Sequence, residues 1–154
     1  MNLSKCIVLL VGFAVLSTLT AAYTSESLNE RRENAKRDKS YYYQIPLDPE
    51  LMALVEGKKW KEALPQLIDV NEHRGPAKNV ERYIVRCYNH LGLAAFNRDD
   101  YKKSAEYFRK ALDYFDYVAN FYMLLGTSYF RLNQYQQAEP VLLKALEMKT
   151  AGHK

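Results

Sequence analysis

The chain has little cysteine, little glycine or proline, and no strong excess of either charge. Its 2 cysteines cannot build the disulfide framework that stabilises small extracellular scaffolds. With 6 glycines and 5 prolines in 154 residues, collagen-like and proline-rich low-complexity sequence is excluded. The 22 basic and 18 acidic residues leave a net charge of +4 spread along the chain, which excludes the concentrated basic face of a nucleic-acid binder. Catalytic signatures are missing too. There is no glycine-rich phosphate loop, no Gly-x-Ser-x-Gly elbow and no Cys-x-x-Cys-His haem site. The histidines are His73, His90 and His153. Cys87 and His90 are spaced i, i+3, but two ligands without a second pair do not make a zinc site. The acidic pair Asp99-Asp100 falls in a predicted turn and reads as a solvated tip. The sequence therefore predicts a protein that is not an enzyme and has no cofactor, metal or nucleic-acid partner.

What the chain does have is an apolar start. Cys6 to Ala22 carries no charge, follows the basic residue Lys5, and fades through Ser17-Thr18-Leu19-Thr20 into Ala21-Ala22. A basic start, a short apolar run and a small-residue end predict a secretory signal peptide over residues 1–22, cut after Ala22. The run is short of the roughly 20 apolar residues of a membrane span. A secreted or periplasmic protein is expected; the alternative is an uncleaved segment anchoring it in the inner membrane. After cleavage Cys87 is the single cysteine and reads as a small buried apolar residue. A free cysteine and the absence of any Asn-x-Ser/Thr site after residue 22 fit a bacterial envelope setting better than a eukaryotic secretory one. Residues 23–46, with a charged stretch from Thr24 to Lys39 followed by Tyr41-Tyr42-Tyr43, read as a polar linker or loosely held helix.

The remainder, 47–150, is predicted to be one domain, and it repeats itself. At an offset of 34 residues, 85–118 and 119–152 share Tyr88/Tyr122, Leu91/Leu125, Gly92/Gly126, Phe96/Phe130, Tyr101/Tyr135, Lys110/Lys144, Ala111/Ala145 and Leu112/Leu146. A fixed period of this length predicts stacked helical hairpins. Tyr122-x2-Leu125-Gly126-x2-Tyr129 followed by Ala138-x3-Leu142-x2-Ala145 resembles a tetratricopeptide repeat. The preceding copy departs from the pattern at Ala95 and Ser104, and neither copy has the closing proline. A degenerate earlier copy is visible in Trp60-x2-Ala63-x3-Leu67-x2-Val70, where Trp60 lies 41 residues before Tyr101. The resemblance implies an all-α superhelical solenoid of about three hairpins, with repeats near 47–76, 85–118 and 119–150.

Local signals agree. Asp48-Pro49-Glu50 reads as a helix start and Gly57 as its stop. Gly92 and Gly126 let paired helices approach closely, and Pro65 and Pro140 are expected to be tolerated near the start of their helices.

Two surfaces follow from the resemblance. Its concave groove carries over to Arg86, Asn89, Leu93, Phe96 and Asn97 in the second repeat, and to Asn120, Met123, Thr127, Phe130 and Arg131 in the third. Asparagines that pair with backbone, two arginines and aromatics suit an extended peptide with an acidic group. Phe96 and Phe130 are alternatively packed between helices. Only Lys149 to Lys154 follows the last repeat helix, predicted over about Tyr135 to Met148. The face of Val141, Leu142, Ala145 and Leu146 is therefore expected to stay partly open and to support self-association. The expected function is an exported adaptor binding a protein or peptide partner in its groove, within an envelope complex. The alternative is a structural subunit that polymerises end to end through its last helix and first hairpin.

Overall fold

The computed structural model describes residues 42–151, with residues 30, 33, 34, 36 and 37 upstream. The predicted signal peptide and the end of the chain from residue 152 lie outside the described residues. Between residues 42 and 151 the chain forms α1 (Pro49–Glu56), α2 (Trp60–His73), α3 (Lys78–Phe96), α4 (Tyr101–Tyr114), α5 (Ala119–Arg131) and α6 (Tyr135–Ala151). Among the described residues there is no strand, and none of their helices is long and apolar enough to cross a membrane. Each helix packs on its sequence neighbours from α1 through α6. This is an all-α array of three hairpins.

Their common turn shows that the hairpins are copies of one unit. Lys58, Asp99 and Asn133 adopt φ of 57°, 59° and 59°, the left-handed region that bulky side chains avoid. In each case the next amide bonds back across the turn: Lys59 N to Leu54 O at 2.9 Å, Asp100 N to Ala95 O at 3.0 Å, and Gln134 N to Tyr129 O at 2.9 Å. The turn residues are separated by 41 and then 34 positions, the spacing of Trp60, Tyr101 and Tyr135. Gly57 stops α1 without taking the left-handed conformation common for glycine at helix ends. Gly57 has φ −72°, and Lys58 takes the positive φ. Glycine is favoured at 57 because a Cβ there would lie 2.9 Å from the Ala53 carbonyl oxygen.

The additional residues between the first two copies lengthen one helix. α5 begins at Ala119, which aligns with Val85, whereas α3 begins seven residues before Val85 at Lys78. The other boundary signals behave as the residues dictate. Asp48 Oδ1 accepts the Glu50 amide at 2.8 Å with Pro49 opening α1. Pro65 and Pro140 sit in the first half of α2 and α6, and both helices remain whole.

The core runs along the seam between hairpins. Phe108, Leu67, Ile84 and Val80 have no solvent exposure. A Cβ on Gly92 would meet the Phe108 ring at 2.9 Å, and one on Gly126 would meet Leu142 Cγ at 2.6 Å. Both glycines thus mark where paired helices touch. Phe108 in turn carries the packing forward, its ring 5.9 Å from Phe121 on α5. The departure at Ser104 has a local cause. Ser104 is fully buried and shares a 3.1 Å hydrogen bond with the Ser128 hydroxyl of the next repeat.

Candidate functional site

The extended N-terminal part of α3 builds a polar recess. Gln44, Asn79, Arg82, Tyr83 and Arg86 line a hollow of about 400 Å³. The Arg86 guanidinium lies 5.4 Å from the Trp60 ring centre. Trp60 itself stacks on His90 at 4.4 Å with an interplanar angle of 2°. An arginine backed by a stacked aromatic loses less freedom on binding an anion than one extended into water. Beside it, Asn79 shows how this surface reads a peptide backbone. Its Oδ1 accepts the Ile45 amide at 3.2 Å and its Nδ2 donates to the Ile45 carbonyl at 2.9 Å. Arg74 donates to the Pro46 carbonyl at 3.2 Å, and Lys78 lies 5.3 Å from the Tyr42 ring centre. The segment before α1 is thereby tied to α3.

His90 carries the electrical consequence of this packing. Burial, then the Arg86 charge, then the Lys58 charge, hold its pKa below the ordinary 6.5. A histidine with a lowered folded-state pKa contributes stability that is complete above its unfolded value and is lost as pH falls through the folded one. The thermal midpoint should therefore drop between about pH 7 and about pH 5, and His90→Gln should reduce that drop. An unchanged drop in the variant contradicts the assignment.

Cys87 is fully buried and burial pushes its thiol up to about 11, so it is a packing residue with an unreactive thiol. Among the described residues no group of three potential metal ligands exists.

The predicted groove residues divide between two places. On α3, Arg86 is exposed while Asn89 and Leu93 are half-buried. Phe96 is half-buried and packs edge-on to Tyr101 at 5.4 Å, so it serves its own turn more than a groove. Asn97 is exposed at the end of α3. In the third repeat, Thr127 donates to the Met123 carbonyl at 2.7 Å within its own helix. Arg131 reaches back to within 6.0 Å of the Tyr101 ring centre.

Asn120, Met123 and Phe130 lie elsewhere. Asn120 and Met123 line a hollow of about 450 Å³ with Leu142, Ala145, Leu146 and Lys149. Phe130 lines one of about 420 Å³ with Tyr135, Glu139, Leu142, Leu143 and Leu146. Three residues expected in the groove thus share the end face of α5 and α6 with the residues expected to self-associate.

The expected open face also needs correction in detail. Ala145 is buried, Leu142 packs over Gly126, and Val141 is half-buried against the core. The side chains that stand out are Leu146, 58% exposed, and Leu143, 53% exposed. Sequence reasoning missed Leu143, Arg82 and the Asn79 clamp. The signal for Arg82 was present, since it lies four residues before Arg86 and so shares its helix face.

The tetratricopeptide repeat family model matches residues 83–151, from the second turn of α3 to the end of α6. Comparison with curated proteins and with solved structures found no match.

Proposed function

We propose that this chain, which carries tetratricopeptide repeats over residues 83–151, is an exported adaptor that holds an acidic, extended segment of a partner protein against α3. Tetratricopeptide repeats are protein-interaction scaffolds; the export, the groove and the chemistry of the partner are our reading. The observation that carries it is the Arg86–Trp60–His90 stack beside Arg82. Two guanidinium groups on one helix face, one of them held by an aromatic ring, suit a pair of carboxylates. Asn79, already pairing with the peptide unit of Ile45, shows the backbone chemistry available beside them.

The test is fluorescence anisotropy with a labelled peptide of alternating glutamate and alanine. Binding should be saturable, weaken with salt and fall about tenfold or more in the Arg82→Ala/Arg86→Ala double variant. Binding unaffected by the double variant, or equal binding of a lysine-alanine peptide, would reject the site. Export rests on the sequence of residues 1–22 and predicts a mature protein whose mass begins at Tyr23. A mature protein that retained Met1 in the soluble fraction of the cell would contradict it.

End-to-end polymerisation is less favoured by the first hairpin. A hollow between α1 and α2 is lined by Asp48, Glu50 and Asp69 as well as Leu51 and Val70. An acidic surface is a poor counterpart for an apolar end.

A further inference from the structure

Of the eight most exposed large apolar and aromatic side chains among the described residues, five (Met123, Phe130, Tyr135, Leu143 and Leu146) lie on α5 and α6. The repeat itself shows that this end is built to be covered. Phe108 and Ala111 of α4 have no exposure because the next hairpin lies on them, Phe121 being 5.9 Å from Phe108. Their counterparts one period on are Leu142 and Ala145, with Leu146 standing where Leu112 does. On α6 these residues floor two adjoining hollows of about 450 and 420 Å³ that share Leu142 and Leu146.

The pattern along α6 indicates what fits there. Each hollow contains one charged side chain, Glu139 in one and Lys149 in the other. Glu139, Leu142, Leu146 and Lys149 are symmetric about position 144 in hydrophobicity and opposite in charge. A helix with that pattern is complementary to its own copy running the other way. Leu142 meets Leu146 of the second copy, and Glu139 meets its Lys149, about 15 Å along the axis from the like pair at the other end. Lys144, midway between Leu142 and Leu146 in sequence but turned to the opposite side of the helix, lines neither hollow and forms an ion pair within α6 with Glu147 at 3.9 Å.

We propose that the end face of α5 and α6 binds a second copy of this chain, with the two α6 helices antiparallel about a two-fold axis near position 144. Such a pairing uses the same surface on both molecules and closes as a dimer, whereas head-to-tail addition propagates. Leu146 of each copy enters the partner's hollow over Leu142, beside Met123 and Phe130, and the charged pairs fix direction and register. The pairing is independent of the recess on α3, which stays available for a partner segment.

The experiment is light scattering behind size exclusion, over a range of concentrations, on protein purified after expression of the full chain. The wild type is expected to be a dimer that dissociates on dilution. Leu146→Glu should weaken it by about a hundredfold, because two leucines per dimer are lost and each is worth roughly a factor of ten. Leu146 is exposed in the single chain, so helicity should be unchanged and circular dichroism checks this. Glu139→Lys and Lys149→Glu should each weaken the dimer, and the two together should restore it. A wild type that stays monomeric at every concentration overturns the proposal. So does a dimer that survives Leu146→Glu. Charge reversals without effect, or without rescue in combination, overturn the antiparallel register.

Discussion

Replacing Phe108 by alanine should cost about 3–5 kcal/mol, the largest single loss expected in this chain. Phe108 has no exposure, lies over Gly92 in its own hairpin and reaches Phe121 in the next. Truncation leaves a void that backbone glycine on one side cannot fill. It also cuts the packing between the second and third hairpins. In a repeat array, stability is the sum of unit and nearest-neighbour terms, so the loss falls on both. Domains of this size are stable by about 5–15 kcal/mol in total. The variant should therefore unfold at a markedly lower urea midpoint, and its third hairpin should lose cooperativity with the rest. Lys110→Ala, two residues along the same helix and exposed, should change stability by less than about 0.5 kcal/mol. Equal effects of the two substitutions would show that α4 does not pack through Phe108.

Gly92→Ala should destabilise by about 1 kcal/mol net, because two effects oppose each other there. Alanine favours the helix over glycine by about 1 kcal/mol. Against this, the new Cβ would lie 2.9–3.2 Å from three atoms of the Phe108 ring, and overpacking of a closed core costs about 1–3 kcal/mol. The ring has no room to retreat, because Phe121 stands beyond it. The clash term is set by Phe108, so the two positions should be coupled. In a Phe108→Leu background the same Gly92→Ala change should cost less, or become stabilising. Urea unfolding of the four proteins in the cycle measures this. Additive effects would place the cost of Gly92→Ala somewhere other than that ring.

The repeat and its hairpins were legible because they depend on residues that act locally or at a fixed period. Gly92 and Gly126, the aromatic residues that open α4 and α6, and the Asp48 cap needed no knowledge of neighbours. What escaped depends on long-range placement or helix rotation. The Asn79 clamp joins residues 34 apart in sequence. The Arg86–Trp60–His90 stack crosses from α2 to α3, and the Asn79, Arg82 and Tyr83 that line the recess beside it lie on the turns of α3 that its copy in the third repeat lacks. On α6 each step in sequence turns the side chain by about 100°. Ala145 is therefore buried, Leu142 lies half-buried over Gly126 with one side open to the end-face hollows, and Leu143 and Leu146 stand exposed. Hydrophobicity alone does not separate those four. The resemblance places Phe130 in the groove, yet it lines the end face because no further hairpin among the described residues covers it.

The most direct test of the adaptor is where an acidic peptide lands. A glutamate-alanine peptide carrying a photo-crosslinking benzophenone, irradiated with the protein and mapped by mass spectrometry, should label the recess formed by Gln44, Asn79 and Tyr83, near Arg82 and Arg86. Labelling should disappear in the Arg82→Ala/Arg86→Ala variant. Labelling concentrated on α6, or spread evenly over the surface and indifferent to those two arginines, would contradict a partner-binding site on α3.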